Sequence, residues 1–171
     1  FGQITARVLS ANGIAFTALD KDAEHIEFVR KFGNKVFFGD ATRLDLLKKA
    51  GIEEARVLLV AIDTPYEINQ LVTLVKHEFP HIKIVARARN RIHAAELAQM
   101  GVSHFVREMF AGGLKACESV LEAYGYTEGQ SKRMTEVFAN HDEKILKEVI
   151  AKDLKFNGLV SAELVSAAQR G

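Results

Sequence analysis

Residues 35–51 read KVFFGDATRLDLLKKAG. The first four residues are mostly apolar or aromatic and have the length of a strand that is buried on both faces of a sheet. A polar turn follows at residues 39–42, and residues 44–50 have the apolar spacing of a helix that ends before Gly51. This order of strand, turn and helix predicts one unit of an α/β fold.

The same alternation extends on both sides of this stretch. Further strands are predicted at residues 14–19, 57–61, 82–86 and 102–106, and further helices at residues 3–12, 24–32, 66–79 and 92–100. Strands and helices that alternate in this way are joined by right-handed crossovers, so the sequence predicts a Rossmann-like, doubly wound parallel sheet. We assign this domain to residues 1–110.

Residues 111–171 have a different composition. Two charge-rich helical patterns cover residues 114–124 and about 130–154, and no clear strand pattern follows them. We predict that residues 111–171 form a C-terminal helical extension that packs on the domain or on a partner.

The beginning of the chain departs from a complete dinucleotide-binding unit. In such a unit a strand and a Gly-rich turn precede the first helix, whereas here the helix comes first and leads to a strand that ends at Asp20. The strand that is missing is the central one of the sheet, so we expect the two halves of the sheet to have no common neighbour. We also expect a longer polypeptide to supply it.

Charge and composition exclude several classes of function. The 171 residues include 23 Lys and Arg and 22 Asp and Glu, which gives a net charge of +1. Because this charge creates no field to hold a polyanion or a lipid surface, nucleic acid is not the expected partner. The longest apolar run, about residues 57–62, is too short to cross a membrane, and Cys117 has no second cysteine to pair with.

The sequence also lacks the patterns of common catalytic and metal sites. It contains no Tyr-x-x-x-Lys pair, no Gly-x-Ser-x-Gly turn and no Walker lysine loop, and its histidines do not have the spacing of metal ligands. We therefore predict no catalytic residues and no metal, and a chain whose chemistry is binding.

Residues at the predicted strand and helix ends fit the contacts of a nucleotide. Gly2 fits the last glycine of a G-x-G-x-x-G turn, where a helix N-terminus faces phosphate. Asp20 ends a strand where an acidic residue bonds ribose hydroxyls, which favours NAD or AMP over NADP. Asp40 and Asp63 follow the next two strands, at the edge where open α/β sheets bind ligands. The alternatives are a surface carboxylate for Asp20 and capping of the next helix by Asp40 or Thr42.

Arginines stand at two further strand ends. Arg87 and Arg89 close the predicted fourth strand, and Arg107 follows the fifth. Guanidinium groups at such positions are suited to bidentate capture of carboxylate or phosphate, but ion pairing within the protein explains them equally well.

Together these segments resemble the RCK or KTN regulatory domains, which bind nucleotides beneath potassium channels and transporters. The resemblance covers residues 1 to about 124 and rests on Phe1-Gly2-Gln3, Leu19-Asp20-Lys21-Asp22, Gly39-Asp40-Ala41-Thr42 and residues 46–52 and 60–63. Residues 31–47, 84–89 and 107–110 are similar to the glutathione-gated Kef potassium-efflux systems.

This resemblance implies a homodimer of regulatory domains on the cytoplasmic side of a bacterial inner membrane, attached to the membrane transport domain of a potassium/proton antiporter. It implies a structural nucleotide, AMP or NAD(H), bound by Gly2, Asp20, Lys21, Asp40, Ala41 and Asp63. It further implies regulation by glutathione or its adducts through Arg7, Phe32, Arg107 and a tail position occupied by Asn140 or Asp142. An accessory flavoprotein is an additional partner in this family.

Two other interpretations stay open at this point. The chain fits an RCK-type ligand sensor of another potassium channel or transporter, which would respond to ATP, ADP or calcium. It also fits a fragment of an NAD-dependent oxidoreductase, although no proton donor for hydride transfer stands out in the sequence.

Overall fold

The computed structural model describes residues 1–31 and 33–168, with side-chain surroundings for residues 1–27, 29–31 and 33–152. The chain divides into two compact units, Phe1–Arg87 and Ala88–Gly171. The domain boundary predicted after residue 110 stays a prediction.

The first unit alternates helices and strands. Its elements are α1 (Gly2–Ala11), β1 (Thr17–Asp20), α2 (Ala23–Arg30), β2 (Lys35–Phe38), α3 (Leu44–Lys49), a 3-10 helix (Ile52–Glu54), β3 (Val57–Val60), α4 (Pro65–Glu78) and β4 (Lys83–Ala88), which ends at the boundary between the units. This order confirms the predicted α/β class and its helix-strand rhythm. The predicted bounds of β2 agree with the observed ones, and the predicted start of β1 at residue 14 is three residues too early.

The strands of this unit pair in parallel but in two separate sheets. β1 pairs with β2, with Asp20 opposite Phe38. β3 pairs with β4, with Val60 opposite Ala86. The expectation that the two halves of the sheet have no common neighbour is therefore confirmed for the strands that the structure describes.

Helix α4 supplies much of the core of the first unit. Pro65 occupies the first turn, where its missing N–H costs no hydrogen bond. The buried residues Ile68, Leu71, Val72 and Val75 follow at helical spacing and form one apolar stripe. The opposite face of α4 is mostly polar, with Asn69, Gln70 and Thr73.

The second unit is mainly helical. After β4 it contains α5 (Arg91–Gln99), β5 (His104–Arg107), α6 (Glu108–Tyr124) and α7 (Glu128–Ala168). Two helices were predicted after residue 110, and both are present. α6 begins six residues earlier than predicted, because the helix continues through Gly112 and Gly113 although glycine has a low helix propensity. Gly125, with a φ of 118°, ends α6.

His93 of α5 is a buried histidine whose ring is hydrogen-bonded. Its side chain is 3% exposed, and the Arg89 N–H donates to its Nδ1 over 3.0 Å. This agrees with the interpretation of the histidines as surface or satisfied residues. Burial holds the pKa of His93 below its ordinary value, against a smaller opposite effect of Glu96.

The lowered pKa of His93 predicts a pH-dependent stability. The unfolded chain takes up a proton near the ordinary histidine pKa of about 6.5, before the folded protein does, so the free energy of unfolding should fall as pH drops from about 7 to about 5. Urea unfolding at both pH values should show a smaller loss for His93→Gln than for the wild type. His77→Gln, at a histidine whose side chain is 83% exposed, is the control and should keep the wild-type slope. Equal slopes in all three proteins would contradict the assignment to His93.

Candidate functional site

The ends of β1 and β2 bring two of the predicted nucleotide residues to the same edge of their sheet. Asp20 is the last residue of β1, and its carbonyl accepts a hydrogen bond of 2.8 Å from the Gly39 N–H directly after β2. Asp40 follows in the next position. Gly39 has a φ of 146°, a conformation in which a residue with a side chain is strained. The turn therefore requires glycine, and it fixes the positions of Asp20 and Asp40 relative to each other.

The Asp20 carboxylate is held in place by local contacts and stays accessible. One oxygen accepts a hydrogen bond from the Asp22 N–H over 2.9 Å, and the other lies 3.0 Å from Nδ1 of His25. The side chain is 39% exposed. Because each carboxylate oxygen has two lone pairs, Asp20 can accept further hydrogen bonds from a ligand hydroxyl.

Asp40 shapes the turn after β2. Its Oδ1 accepts hydrogen bonds of 2.8 Å from the N–H and from the hydroxyl of Thr42, and these bonds hold the pKa of Asp40 below its ordinary value. Helix α3 instead begins after Arg43, which makes no side-chain capping bond. The alternative that Asp40 or Thr42 caps α3 is therefore wrong. Ala41, between them, is half-buried.

Lys21 lies among carboxylates at this edge. Its Nζ donates to Glu67 Oε1 over 2.7 Å, and this bond, together with weaker attraction to Asp40 and Asp20, raises the pKa of Lys21. The sequence analysis did not single out Glu67, whose signal is only an acidic residue in the first turn of α4. The Lys21–Glu67 pair connects the end of β1 to α4.

Gly2 and Asp63 also lie in the first unit, Gly2 at the start of α1 and Asp63 between β3 and α4. Gly2 begins α1, and a Cβ atom built on it would lie only 3.3 Å from the Cβ of Ala61, so a larger residue would crowd this contact. Asp63 accepts a hydrogen bond from Arg87, whose guanidinium also lies 5.7 Å from the centre of the Phe1 ring. Of the two explanations for Arg87, capture of a ligand anion and ion pairing within the protein, the structure shows ion pairing.

An open depression of about 670 Å³ lies on the polar face of α4, next to the Asp40 turn. Its lining consists of Thr42 from the turn and Tyr66, Asn69, Gln70, Thr73, Leu74 and His77 from α4. The Gln70 side-chain amide donates to the Tyr66 hydroxyl over 3.0 Å. Hydroxyl and amide groups of this kind bind uncharged polar groups of a ligand.

The residues predicted to contact glutathione fall in different parts of the chain. Arg7 is exposed on α1 of the first unit, and Phe32 lies outside the described residues. In the second unit, Asn140 is exposed on α7, whereas Asp142 is only 3% exposed. Arg107 donates a hydrogen bond to Asp142, so the structure brings these two predicted residues into direct contact.

Arg91 is a third member of this contact that the sequence analysis missed. Arg91 begins α5 and donates to the other carboxylate oxygen of Asp142. Burial alone would raise the pKa of Asp142, but its hydrogen bonds from Arg107 and Arg91 outweigh this effect and hold the pKa below its ordinary value. The carboxylate is therefore ionised at neutral pH despite its burial.

The described part of the chain contains neither a membrane-spanning helix nor a metal-binding group of side chains. No helix within residues 1–31 and 33–168 is both long and apolar enough to cross a membrane. Among the described side chains, no group of three His, Cys, Asp or Glu residues has an arrangement that could hold a metal ion.

Comparison with known proteins identifies the family of the chain. Residues 1–108 match the TrkA-N domain family. A Kef C-terminal domain from Shewanella denitrificans, whose structure is in an AMP-bound form, superimposes with a TM-score of 0.81 and 38% sequence identity, over 88% of this chain and 92% of that one. The chain belongs to the TrkA-N domain family, and within it to the Kef group.

A curated Kef relative shows the same membership. The glutathione-regulated potassium-efflux system protein KefC of Salmonella paratyphi B is 45% identical over 149 residues, which cover 87% of this chain. The aligned part is 24% of that relative, so the chain spans about a quarter of its length. The TrkA-N domain of the inner membrane protein ybaL from Escherichia coli, 23% identical with a TM-score of 0.61 over 71% of this chain and 87% of that one, shares the fold.

Proposed function

We propose that this chain is a nucleotide-binding regulatory domain of a potassium-efflux system, and that it has no catalytic activity of its own. The observation that carries the proposal is the likeness to the AMP-bound Kef C-terminal domain, because it covers most of both chains. By this proposal the domain is attached to a membrane transport domain and lies on the cytoplasmic side of a bacterial inner membrane. An accessory flavoprotein is a further proposed partner.

We propose AMP as the nucleotide, with NAD(H) as the alternative. Asp20 would accept hydrogen bonds from the ribose hydroxyls, and the Asp40 turn with Ala41 would lie beside the nucleoside. The N-terminus of α1 at Gly2 carries no side-chain cap and is suited to a phosphate. Lys21 and Asp63 complete the proposed set. The accessible, fixed carboxylate of Asp20 supports this assignment.

Thermal unfolding of the purified protein with AMP or NAD tests the nucleotide proposal. A ligand at about 100 times its Kd should raise the free energy of unfolding by about 2.7 kcal/mol, which appears as a higher melting temperature. Asp20→Asn should lose most of this shift, because an amide cannot accept the ribose hydrogen bonds with both of its polar atoms.

Glu53→Gln provides the matched control, since Glu53 is an exposed acid outside the proposed site. This variant should keep the full shift. If neither nucleotide stabilises the wild-type protein, the proposed function is wrong. A shift that persists in Asp20→Asn would leave nucleotide binding standing and remove Asp20 from the site.

We also propose that the domain forms a homodimer through α6. The 17 residues of this helix include none that is buried. One side, here called the α6 stripe, carries only uncharged and mostly apolar residues, namely Met109, Gly112, Gly113, Ala116, Val120, Ala123 and Tyr124. Met109, Val120 and Tyr124 are 67%, 67% and 84% exposed. An exposed apolar surface of this kind is typical of an interaction site.

The arrangement of sizes within the α6 stripe favours a second copy of the chain as the partner. Ala116 stands at the middle of α6, and the large residues Met109 and Tyr124 stand near its two ends. If a two-fold axis passed beside Ala116, two identical α6 helices would cross at this small side chain. Each Met109 would then lie near the partner's Tyr124. An isologous interface of this type is self-complementary.

Ala116→Arg tests the dimer. A buried, uncompensated charge at the crossing point of both helices should convert the dimer into a monomer, which analytical ultracentrifugation measures directly. Glu122→Arg introduces the same side chain on the charged side of α6 and should leave the dimer intact. A wild-type protein that is monomeric at the highest concentrations examined would contradict this proposal.

Glutathione is the second ligand that we propose, on the strength of the relative's regulation by glutathione and of the resemblance at Arg107. The proposed contacts are Arg7, Phe32, Arg107 and Asn140 or Asp142. A carboxylate of the tripeptide that approached Arg107 would have to compete with Asp142, which already accepts a hydrogen bond from this arginine. The strength of glutathione binding therefore depends on Asp142.

A further inference from the structure

The strands of the first unit have two edges, one where strands begin and one where they end. β1 and β2 are parallel, as are β3 and β4, and the helices that connect them run in the opposite direction, so helices end where strands begin. The hydrogen bond from Lys21 to Glu67 joins the end of β1 to the first turn of α4, so both sheets end on the same side. We call the opposite side, formed by residues 30–31, 33–35, 48–56 and 76–83, the amino edge.

Charge is separated between the two edges. The amino edge contains eight Lys and Arg residues and three Glu residues, which gives a formal charge of +5. The carboxyl edge, formed by residues 20–24, 39–45, 61–67 and 86–87, contains three Lys and Arg residues and seven Asp and Glu residues, which gives a formal charge of −4. The net charge of the whole chain conceals this separation. The amino edge therefore has a local positive field that composition does not reveal.

The cations of the two edges also differ in their partners. Lys21, Arg43 and Arg87 on the carboxyl edge each form an ion pair with a carboxylate. On the amino edge six exposed cations form no ion pair with any residue whose side chain the structure describes, namely Lys31, Lys35, Lys48, Lys49, Arg56 and Lys83. We call these six the amino-edge cations. They are available to an anion from outside the chain.

Helix polarity accounts for only part of this pattern. The helix dipole favours cations near a helix C-terminus, which explains Lys48 and Lys49 in the last turn of α3. Lys35 and Lys83 instead begin strands, and Arg56 directly precedes β3, where no helix dipole acts. The Lys83 N–H donates to the Arg56 carbonyl over 3.1 Å, so two residues of like charge are neighbours. Because like charges side by side do not favour folding, the pair indicates a role outside folding.

We propose that the amino edge is a docking surface for an anionic lipid bilayer, which holds the first unit against the cytoplasmic leaflet. This inference rests on the proposed attachment to a membrane transport domain, because that attachment would keep the surface at a high effective concentration near the lipid headgroups. The amino-edge cations complement the negative charge of such a leaflet. The proposed nucleotide residues lie on the carboxyl edge and would stay accessible.

The distribution of the amino-edge cations favours a lipid surface over other anions. They are spread over strand starts and helix ends, whereas capture of a single phosphate requires donors that converge on one point. Phe79 is the one Phe, Tyr or Trp in the described part of this edge, and it is only 5% exposed. A single-stranded nucleic acid would therefore find no exposed ring of this kind on which its bases could stack.

Cosedimentation with vesicles tests the proposal. The purified protein is mixed at low salt with vesicles of phosphatidylglycerol and phosphatidylethanolamine, or with neutral vesicles of phosphatidylcholine. Each Lys or Arg near an anionic surface increases the affinity about fivefold, so half of the protein should bind at about 1 mM accessible anionic vesicle lipid or less. Neutral vesicles should bind none. A rise from about 50 to about 200 mM salt should weaken binding at least about tenfold, because salt screens exposed charges.

A triple variant removes the cations that helix polarity does not explain. Lys35→Gln/Arg56→Gln/Lys83→Gln should weaken binding to the anionic vesicles about 100-fold. Lys132→Gln/Arg133→Gln/Lys144→Gln is the matched control, since it makes the same change in net charge at exposed positions of α7. The control should keep the wild-type affinity to within about threefold.

Each outcome decides the proposal. Loss of binding in the amino-edge variant, with binding kept in the control, would support it. No binding of the wild type to anionic vesicles, equal binding to neutral vesicles or an equal loss in both variants would overturn it. Tighter binding of poly(U) RNA than of anionic vesicles at the same salt concentration would also overturn it, in favour of nucleic acid.

The AMP-dependent rise in melting temperature, measured on the same preparation, separates this inference from the proposed function. If AMP stabilises the protein and anionic vesicles do not bind it, the lipid surface is wrong and the nucleotide function stands. If the vesicles bind and neither nucleotide stabilises the protein, the lipid surface stands and the nucleotide function is wrong.

Discussion

Gly39→Ala should lower the free energy of unfolding by about 2–3 kcal/mol, because the turn after β2 holds residue 39 in a conformation that side-chain-bearing residues rarely adopt. The φ of Gly39 is 146°, and a Cβ atom built on it would overlap Cδ2 of Leu46 in α3. The Leu46 side chain can move to relieve part of this overlap, but the backbone strain would stay. For a chain of this length the loss corresponds to a fall in melting temperature of about 5–10 °C.

The same substitution should also weaken the proposed nucleotide site. The Gly39 N–H donates to the carbonyl of Asp20, so a shift of the turn displaces Asp40 from its position beside Asp20. Gly13→Ala is the matched control, since Gly13 has a φ of 68° with no atom within 4 Å of a built Cβ. It should cost only about 1 kcal/mol and leave the AMP-dependent shift unchanged. A Gly39→Ala protein as stable as Gly13→Ala would show that the turn is not constrained as described.

The elements of the first unit were predictable because each carries a local signal. β2 has the predicted bounds, since its apolar run is short and is followed by Gly39. The start of α4 was marked by Pro65. The separation of the strands into two sheets followed from the order of elements at the beginning of the chain. These features depend on residues that are neighbours in sequence, which is why sequence patterns reveal them.

The contacts of the candidate sites were less predictable because they join distant residues. Lys21 and Glu67 are 46 positions apart, and Arg91 and Asp142 are 51 positions apart. Sequence analysis identified Lys21 and Asp142 but did not single out their partners, Glu67 and Arg91. The arginines at strand ends admitted two explanations, anion capture and ion pairing, and only the structure shows that Arg87 and Arg107 are paired with Asp63 and Asp142.

The Arg107–Asp142 pair should make one of the largest single contributions to stability in the second unit. Arg107→Leu leaves the buried Asp142 with Arg91 alone, and we expect a loss of about 3 kcal/mol in the free energy of unfolding, measured by urea denaturation. The double variant Arg107→Leu/Asp142→Leu should recover part of this loss, because it removes the buried charge together with its partner. Lys132→Leu, which breaks an exposed pair with Glu128, should have a much smaller effect.

The pH dependence of the free energy of unfolding distinguishes the Arg107–Asp142 pair from an uncharged packing contact. Because the pKa of folded Asp142 is lowered, its contribution is present above the ordinary aspartate value of about 3.9 and is lost as pH falls through the lower folded value. The wild type should therefore lose stability in this acid range more steeply than Arg107→Leu/Asp142→Leu, in which no carboxylate titrates at position 142. If the free energies of unfolding of the two proteins fell in parallel with pH, Asp142 would have the same pKa in the folded and unfolded states. The stability of the second unit would then have to come from the packing of α5, α6 and α7 alone.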